Sequence, residues 1–245
     1  MLAEWGHPEK AKAIGFMADF IFQFGKEGYR DLFFNETGVY RRDTCYFDRR
    51  GLGNASRFIN TLNECLKATG DDAYICIPTG NHDIQRLNCG NRKSKEELEV
   101  AMTFLLTQPA IPCIYYGDEI GMQGYSDPFS RQCFEWDNKN IDLKVWYSMA
   151  VALRKSSLAF SKGDFQNVYK VNSGYGFMRS YKDDMHIVLT NFSDNNECFR
   201  LDLARFGVRE LELENGLFEE YYNSEDGIYY IQMSGCEAKV FKCRK

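Results

Sequence analysis

At 245 residues the chain has room for one large domain or two ordinary ones with buried cores. Its net charge of -5, with acidic and basic residues interspersed, leaves no basic stripe and argues against nucleic acid as a partner. No apolar stretch approaches the roughly 20 residues needed to span a bilayer, and the N-terminal residues, with Glu4, His7 and Glu9, do not read as a signal peptide. Nine cysteines at irregular spacing, some inside apolar runs (Cys76, Cys113), suit a reducing cytoplasm. Cys-x-x-Cys pairs are absent, and His7, His82 and His186 lie far apart, so neither a metal nor a cofactor is expected.

In chain order, the pattern from Pro8 to about Leu158 alternates helical and strand-like segments, which predicts an α/β region of parallel strands and crossover helices. Pro8 at N1 followed by Glu9 opens the first helix. The apolar run 16–24, interrupted by Asp19, reads as a buried strand. Residues 38–54, rich in Arg, Asp and Gly, read as a surface loop. A helix is expected over 55–67, with Phe58, Ile59, Leu62 and Cys65 on its core face. Residues 73–78 read as the next strand. Ser94 and Glu97 form a capping box ahead of a helix carrying Leu98, Met102, Leu105 and Leu106, stopped by Pro109. A strand over 112–116 and an amphipathic helix over 143–154 follow. Beyond Leu158, short alternating segments separated by Ser173-Gly174, Asp183-Asp184, Asn215-Gly216 and Asp226-Gly227 predict a small antiparallel β domain.

In parallel α/β architectures the reactive groups sit at the C-terminal ends of strands. Two such places stand out: Thr79-Gly80-Asn81-His82-Asp83 after one apolar run, and Gly117-Asp118-Glu119 after another. A helix cap or an Asx turn would use the same residue types. Glu4, with Trp5 and Gly6 just before a helix start, has the same setting, although the chain ahead of it is too short to contain a full strand. Tyr115 and Tyr116 suit either a sugar-stacking surface or the core.

The stretch Ala3-Glu4-Trp5-Gly6-His7-Pro8 resembles the motif at the end of the fifth barrel strand in the α-amylase family of glycoside hydrolases. Gly15-Phe16-Met17-Ala18-Asp19-Phe20 continues the resemblance into the sixth strand. Thr79-Gly80-Asn81-His82-Asp83 resembles the seventh-strand motif, and residues 111–122 resemble the eighth strand. The resemblance implies a partial (β/α)8 TIM barrel, strands five to eight, over residues 1–158, followed by an all-β antiparallel sandwich over 162–245. It implies that Glu4 is the general acid/base and that Asp83 grips sugar hydroxyls and stabilises the transition state. His82, Trp5, Arg86 and Arg131 are placed with the substrate-binding residues. Arg131 stands in Asp127-Pro128-Phe129-Ser130-Arg131, similar to a segment near the family's substrate cleft; the similarity breaks at Gln132 and Cys133.

A retaining glycosidase also needs a second carboxylate roughly 5 to 5.5 Å from the acid. The family takes it from the fourth strand, for which this chain has no matching position. The expectation is therefore a fragment of an enzyme acting on α-linked glucose oligosaccharides, inert by itself. A transglycosylase and a non-catalytic glucan-binding remnant are the alternatives, along with an unrelated barrel enzyme using His82 and Asp83 otherwise. The open strand edges of a half-barrel need covering, either by the missing half or by a second copy.

Overall fold

The computed structural model describes residues 1–21, 28–32, 47, 55–70, 73–89, 94–125, 127–138, 140–171, 174–214 and 220–245. The chain forms two compact units: Met1–Asp48 with Leu52–Leu98 and Ala110–Ser148, and Arg49–Gly51 with Glu99–Pro109 and Met149–Lys245. The expected loop 38–54, apart from Phe47, the turn residues Ser173 and Asn215-Gly216, and residues 22–24 of the apolar run 16–24 lie outside the described residues.

In the first unit three short parallel strands, β1 (Ala18–Phe20), β2 (Tyr74–Pro78) and β3 (Ile111–Cys113), pair in chain order, with Asp19 opposite Ile75 and Ile77 opposite Pro112. Ile75, Cys76 and Ile77 are buried, which is why β2 reads as an unbroken apolar run. The sheet continues past β1 on its other side. Leu2 forms a parallel bridge with Ala18, and the Ala3 amide donates to the Ala18 carbonyl at 2.8 Å. The residues just ahead of Glu4 therefore supply the end of a strand, the setting that the sequence suggested for Glu4.

Helix α1 (Pro8–Ala13) starts at the proline, and α2 (Tyr29–Leu32) is a single turn. In α3 (Ser56–Thr69) the residues Phe58, Ile59, Leu62 and Cys65 are buried, the stripe that a 3.6-residue period produces. The capping box forms at the start of α4 (Lys95–Thr107). The Ser94 amide donates to Glu97 Oε2 at 2.6 Å, and the Glu97 amide donates to Ser94 Oγ at 3.3 Å.

The strand expected over 112–116 is instead Ile111–Cys113. The Tyr115 amide leaves the ladder and donates to Thr79 Oγ1 at 3.2 Å, and the chain turns at Gly117, whose φ of 90 favours glycine. Helix α5 (Ile141–Ser156) follows.

The second unit is a sandwich. After α6 (Leu158–Lys162), the strands β4 (Asp164–Val171), β5 (Gly174–Tyr181), β6 (Asp184–Asn191), β7 (Glu197–Asp202), β8 (Glu210–Leu213), β9 (Tyr221–Asn223), β10 (Ile228–Met233) and β11 (Glu237–Arg244) form antiparallel pairs. One sheet has the order β4-β5-β6-β11-β8-β9 and the other pairs β10 with β7. Met178, Ile187 and Leu189 from the first sheet pack in one core with Phe199, Leu201 and Ile231 from the second, with alternate residues pointing inward. The β5–β6 turn lies one residue earlier than expected: Tyr181 pairs with Asp184, leaving Lys182, at a φ of 56, and Asp183 as the turn.

Arg179, wholly buried in β5, serves the end of α4. Its Nη1 donates to Thr107 O at 2.7 Å, Nη2 to Gly163 O at 3.0 Å and Nε to Asp164 O at 3.3 Å. Arg154 joins it, donating to Leu106 O and, at 3.1 Å, to Gln108 O. Two guanidinium groups thus satisfy carbonyls that a helix C-terminus leaves without amide partners. Among the described residues, no helix is long and apolar enough to cross a membrane.

Candidate active site

The C-terminal ends of the parallel strand segments carry the reactive side chains to one place in the first unit. Glu4 follows the strand end at residues 1–3, and Asn81, His82 and Asp83 follow β2 after Thr79 and Gly80. Asn81 Oδ1 accepts the Asp83 amide at 2.9 Å, so the segment is an Asx turn as well as a cluster of reactive groups. That turn fixes the direction of the His82 and Asp83 side chains. Ser130 Oγ donates to His82 O at 2.9 Å, tying the turn to the later segment that holds Arg131.

His82 Nε2 lies 3.8 Å from Glu4 Oε1 and 3.4 Å from Asp83 Oδ1. Arg131 Nη2 donates to the same Asp83 oxygen at 3.2 Å while its Nε bonds to Asp127. Four of the six residues singled out by sequence, Glu4, His82, Asp83 and Arg131, are therefore joined edge to edge. A cavity of about 250 Å³ opens beside them, its lining including Glu4, Phe20, Pro78, His82, Cys113 and Tyr115. The mix of apolar walls with a few convergent polar groups is that of a small-ligand site. Glu4, His82 and Asp83 also have donor atoms within 4.8 Å of one another, close enough to share a cation.

The remaining two residues are placed differently. Trp5 stands beside Glu4, 45% exposed, edge-on to His7 at 5.9 Å and with Lys10 Nζ 5.9 Å over its ring. Glu4 itself is open to solvent, its side chain 55% exposed.

Arg86, expected at the substrate, is 1% exposed and needs a correction. Its guanidinium packs over the rings of both Tyr115 and Tyr116, 4.5 Å from each centroid, and Nη1 donates to Tyr116 O. Its Nε and Nη2 have no hydrogen-bond acceptor, and the two ring faces take that place. Arg86 thus holds the tyrosines rather than a sugar. Tyr115 donates to Ser130 O at 3.1 Å, and Tyr116 to Gln132 O at 2.5 Å, so the tyrosines brace the segment carrying Arg131.

Sequence reasoning did not anticipate the contacts of Asp19 and Asp118. Asp19 gathers the backbone amides after Glu4. Asp118 is buried, accepts from Thr79 Oγ1, and lies 3.8 Å from Arg86 Nη1. A charged residue inside an apolar strand was the available signal for Asp19. For Asp118 there was none beyond its place after a strand.

Burial pushes the Asp118 carboxyl up to about 7, against the opposing pull of Thr79 and Arg86. An unfolded aspartate ionises near 3.9. Between those values the folded chain holds the extra proton, so stability is full below the lower value and falls as pH rises through about 7. Asp118→Asn is expected to flatten the fall in urea midpoint between pH 5 and 7.5; an unchanged slope would assign that fall to other groups.

The family whose description reads "Alpha amylase, catalytic domain" matches residues 52–173. A cyclomaltodextrinase of Geobacillus thermopakistaniensis is 39% identical over 155 residues, covering 62% of this chain and 24% of that protein. The chain belongs to the α-amylase family. A cyclomaltodextrinase of Thermoanaerobacter pseudethanolicus is 29% identical over 161 residues, covering 64% of the chain and 28% of its own length.

Among solved structures, an Anoxybacillus α-amylase superposes with a TM-score of 0.78 at 20% identity, over 99% of this chain and 51% of that one. The α-amylase of Geobacillus thermoleovorans, complexed with acarbose, gives 0.77 at 20% identity, over 100% and 52%. Identity at that level speaks for the fold. This α-amylase family chain spans less than a third of these two curated relatives and about half of the two solved structures.

Proposed function

We propose that the chain is the acid/base half of a retaining glycoside hydrolase acting on α-glucosidic bonds of oligo- or polysaccharides. The observation that carries this is the convergence of Glu4, His82 and Asp83 at strand ends, with Arg131 held on Asp83, next to a cavity that Glu4 and His82 line. Three lone carboxylates or imidazoles scattered over a surface could not serve one sugar; a carboxyl, an imidazole and a second carboxyl within a few ångströms can.

In this reading Glu4 protonates the glycosidic oxygen as the bond to the anomeric carbon breaks, and later takes a proton from the attacking water. His82 donates a hydrogen bond to a hydroxyl of the same sugar. Asp83, held by Arg131, accepts from neighbouring hydroxyls and stabilises the positive charge that develops on the ring. Trp5 offers an exposed ring beside the acid. The carboxylate that attacks the anomeric carbon comes from outside residues 1–245, so the polypeptide alone performs no turnover. Residues 1–158 form strands five to eight of a TIM barrel and 162–245 the following β domain. The other barrel half covers the open edges, where Leu2 and Ile111 are exposed. A cytoplasmic location accords with an intracellular maltogenic amylase of Bacillus subtilis, 36% identical over 77 residues.

Calorimetric titration tests the sugar reading. Maltotriose is expected to bind and cellotriose, its β-linked counterpart, not to bind. Asp83→Asn should weaken maltotriose about tenfold or more, the loss of charge-assisted hydrogen bonds. Equal binding of the two trisaccharides would contradict it.

A further inference from the structure

Asp19 lies at the centre of β1, 1% exposed, and among the described residues no cation pairs with it. Its carboxylate is instead met by four backbone amides. Oδ1 accepts from Trp5 at 2.9 Å, Gly6 at 3.3 Å and Phe20 at 2.8 Å, and Oδ2 accepts from His7 at 2.8 Å. Three of these donors are consecutive residues, and they begin directly after Glu4. They converge because Gly6 adopts a φ of 75, a conformation that turns successive amides toward one anion.

A buried carboxylate costs several kcal/mol unless its lone pairs are filled, and a strand centre would be occupied at lower cost by an apolar residue. The four donors fill it, and their identity indicates what the charge does. The amide of Ala3 is fixed on Ala18 O at 2.8 Å, one residue before Glu4, and the amide of Trp5 is fixed on Asp19, one residue after it. Because peptide units are planar, anchoring the unit before Ala3 and the unit after Glu4 on consecutive residues of β1 restricts the backbone across Ala3 and Glu4. The direction of its Cα–Cβ bond is then set, and with it the approach of Oε1 to His82 Nε2 at 3.8 Å.

The geometry points to Asp19 as the positioning residue that aims the Glu4 carboxyl at His82 by holding the turn behind it. This rests on the reading of Glu4 as the acid/base. It concerns a residue that touches neither sugar nor reacting atoms, and its test needs no sugar.

The test is a double-mutant cycle read by NMR on the full chain at one fixed pH. Glu4→Gln should displace the His82 ring resonances, since it alters the group facing Nε2. In an Asp19→Asn background, where an NH2 group replaces one acceptor, most of that displacement should vanish, while resonances of the β domain stay in place. A residue with only a structural role would lower the unfolding temperature and leave the effect of Glu4→Gln on His82 intact, which would overturn the inference.

Should Asp19→Asn fail to fold, the unaltered chain still decides. The Trp5, Gly6 and His7 amides should exchange with solvent as a group, at least about tenfold slower than free amides. Free exchange of these three would equally overturn it. A positive cycle in a chain that binds no maltotriose would keep the role of Asp19 and remove the glycosidase reading, so the two fail separately.

Discussion

Purified by itself, the 245-residue polypeptide is expected to release no nitrophenol from p-nitrophenyl α-glucoside above the uncatalysed rate. Supplying the other half of the barrel, as a second polypeptide or as an N-terminal extension, is expected to restore turnover. The reason is chemical. Retaining hydrolysis splits a difficult displacement into two steps through a covalent glycosyl intermediate: first one carboxylate attacks the anomeric carbon while another protonates the departing oxygen, then water displaces the first carboxylate while the second takes the water's proton. Asp83 already holds Arg131 at 3.2 Å and faces His82 at 3.4 Å, an arrangement suited to gripping a sugar rather than to attacking it. Steady release by the polypeptide alone, abolished by Glu4→Gln, would mean that a carboxylate within it performs the attack.

The largest expected effect on stability belongs to Arg179. Replacing it with Met keeps much of the side-chain volume but withdraws the donors to Thr107, Gly163 and Asp164. The Thr107 carbonyl, at the C-terminus of α4, would lose a buried donor, and the part-buried carbonyls of Gly163 and Asp164 would lose theirs. Burial pulls the Arg179 guanidinium down to about 9, with the neighbouring Arg154 adding to the shift, so the native charge is itself retained against a desolvation cost. Leaving a buried carbonyl without its donor costs about 1–3 kcal/mol, which urea unfolding followed by far-UV circular dichroism would register. Arg179→Lys is expected to recover only part of this, because one ammonium cannot reproduce a planar fork bonded in three directions. A loss below about 1 kcal/mol, the ordinary worth of a single hydrogen bond, would show that water replaces the guanidinium.

Local rules made several elements legible. The apolar stripe of α3, the capping box at α4, Pro8 at the head of α1 and the apolar run of β2 each depend on residues close together in sequence, and each formed where those residues placed it. The strand ends that carry Glu4, His82 and Asp83 followed from the same logic. What escaped depends on distant partners. Arg86 stands three residues from Asp83 in sequence, yet the rings 29 and 30 residues later draw it into the interior. Asp19 reads as a flaw in an apolar strand until the amides of Trp5, Gly6 and His7 are seen around it. Arg179 sits in an alternating β pattern that gives no hint of a helix end 72 residues earlier. The extent of β3 was misjudged because Tyr115 and Tyr116 look like continuing strand, whereas Thr79 Oγ1 takes the amide that would have extended the ladder.

The role of Glu4 is tested most directly by leaving-group dependence in the polypeptide completed with its other barrel half. A departing maltosyl alkoxide needs a proton, whereas 2,4-dinitrophenolate departs without one. If Glu4 is the general acid, Glu4→Gln lowers glycosyl-enzyme formation from maltotriose by about 10²–10⁴-fold and leaves the same step with 2,4-dinitrophenyl α-glucoside nearly unchanged. Equal losses with the two substrates would contradict the account, because they would make Glu4 a group that binds sugar without moving a proton.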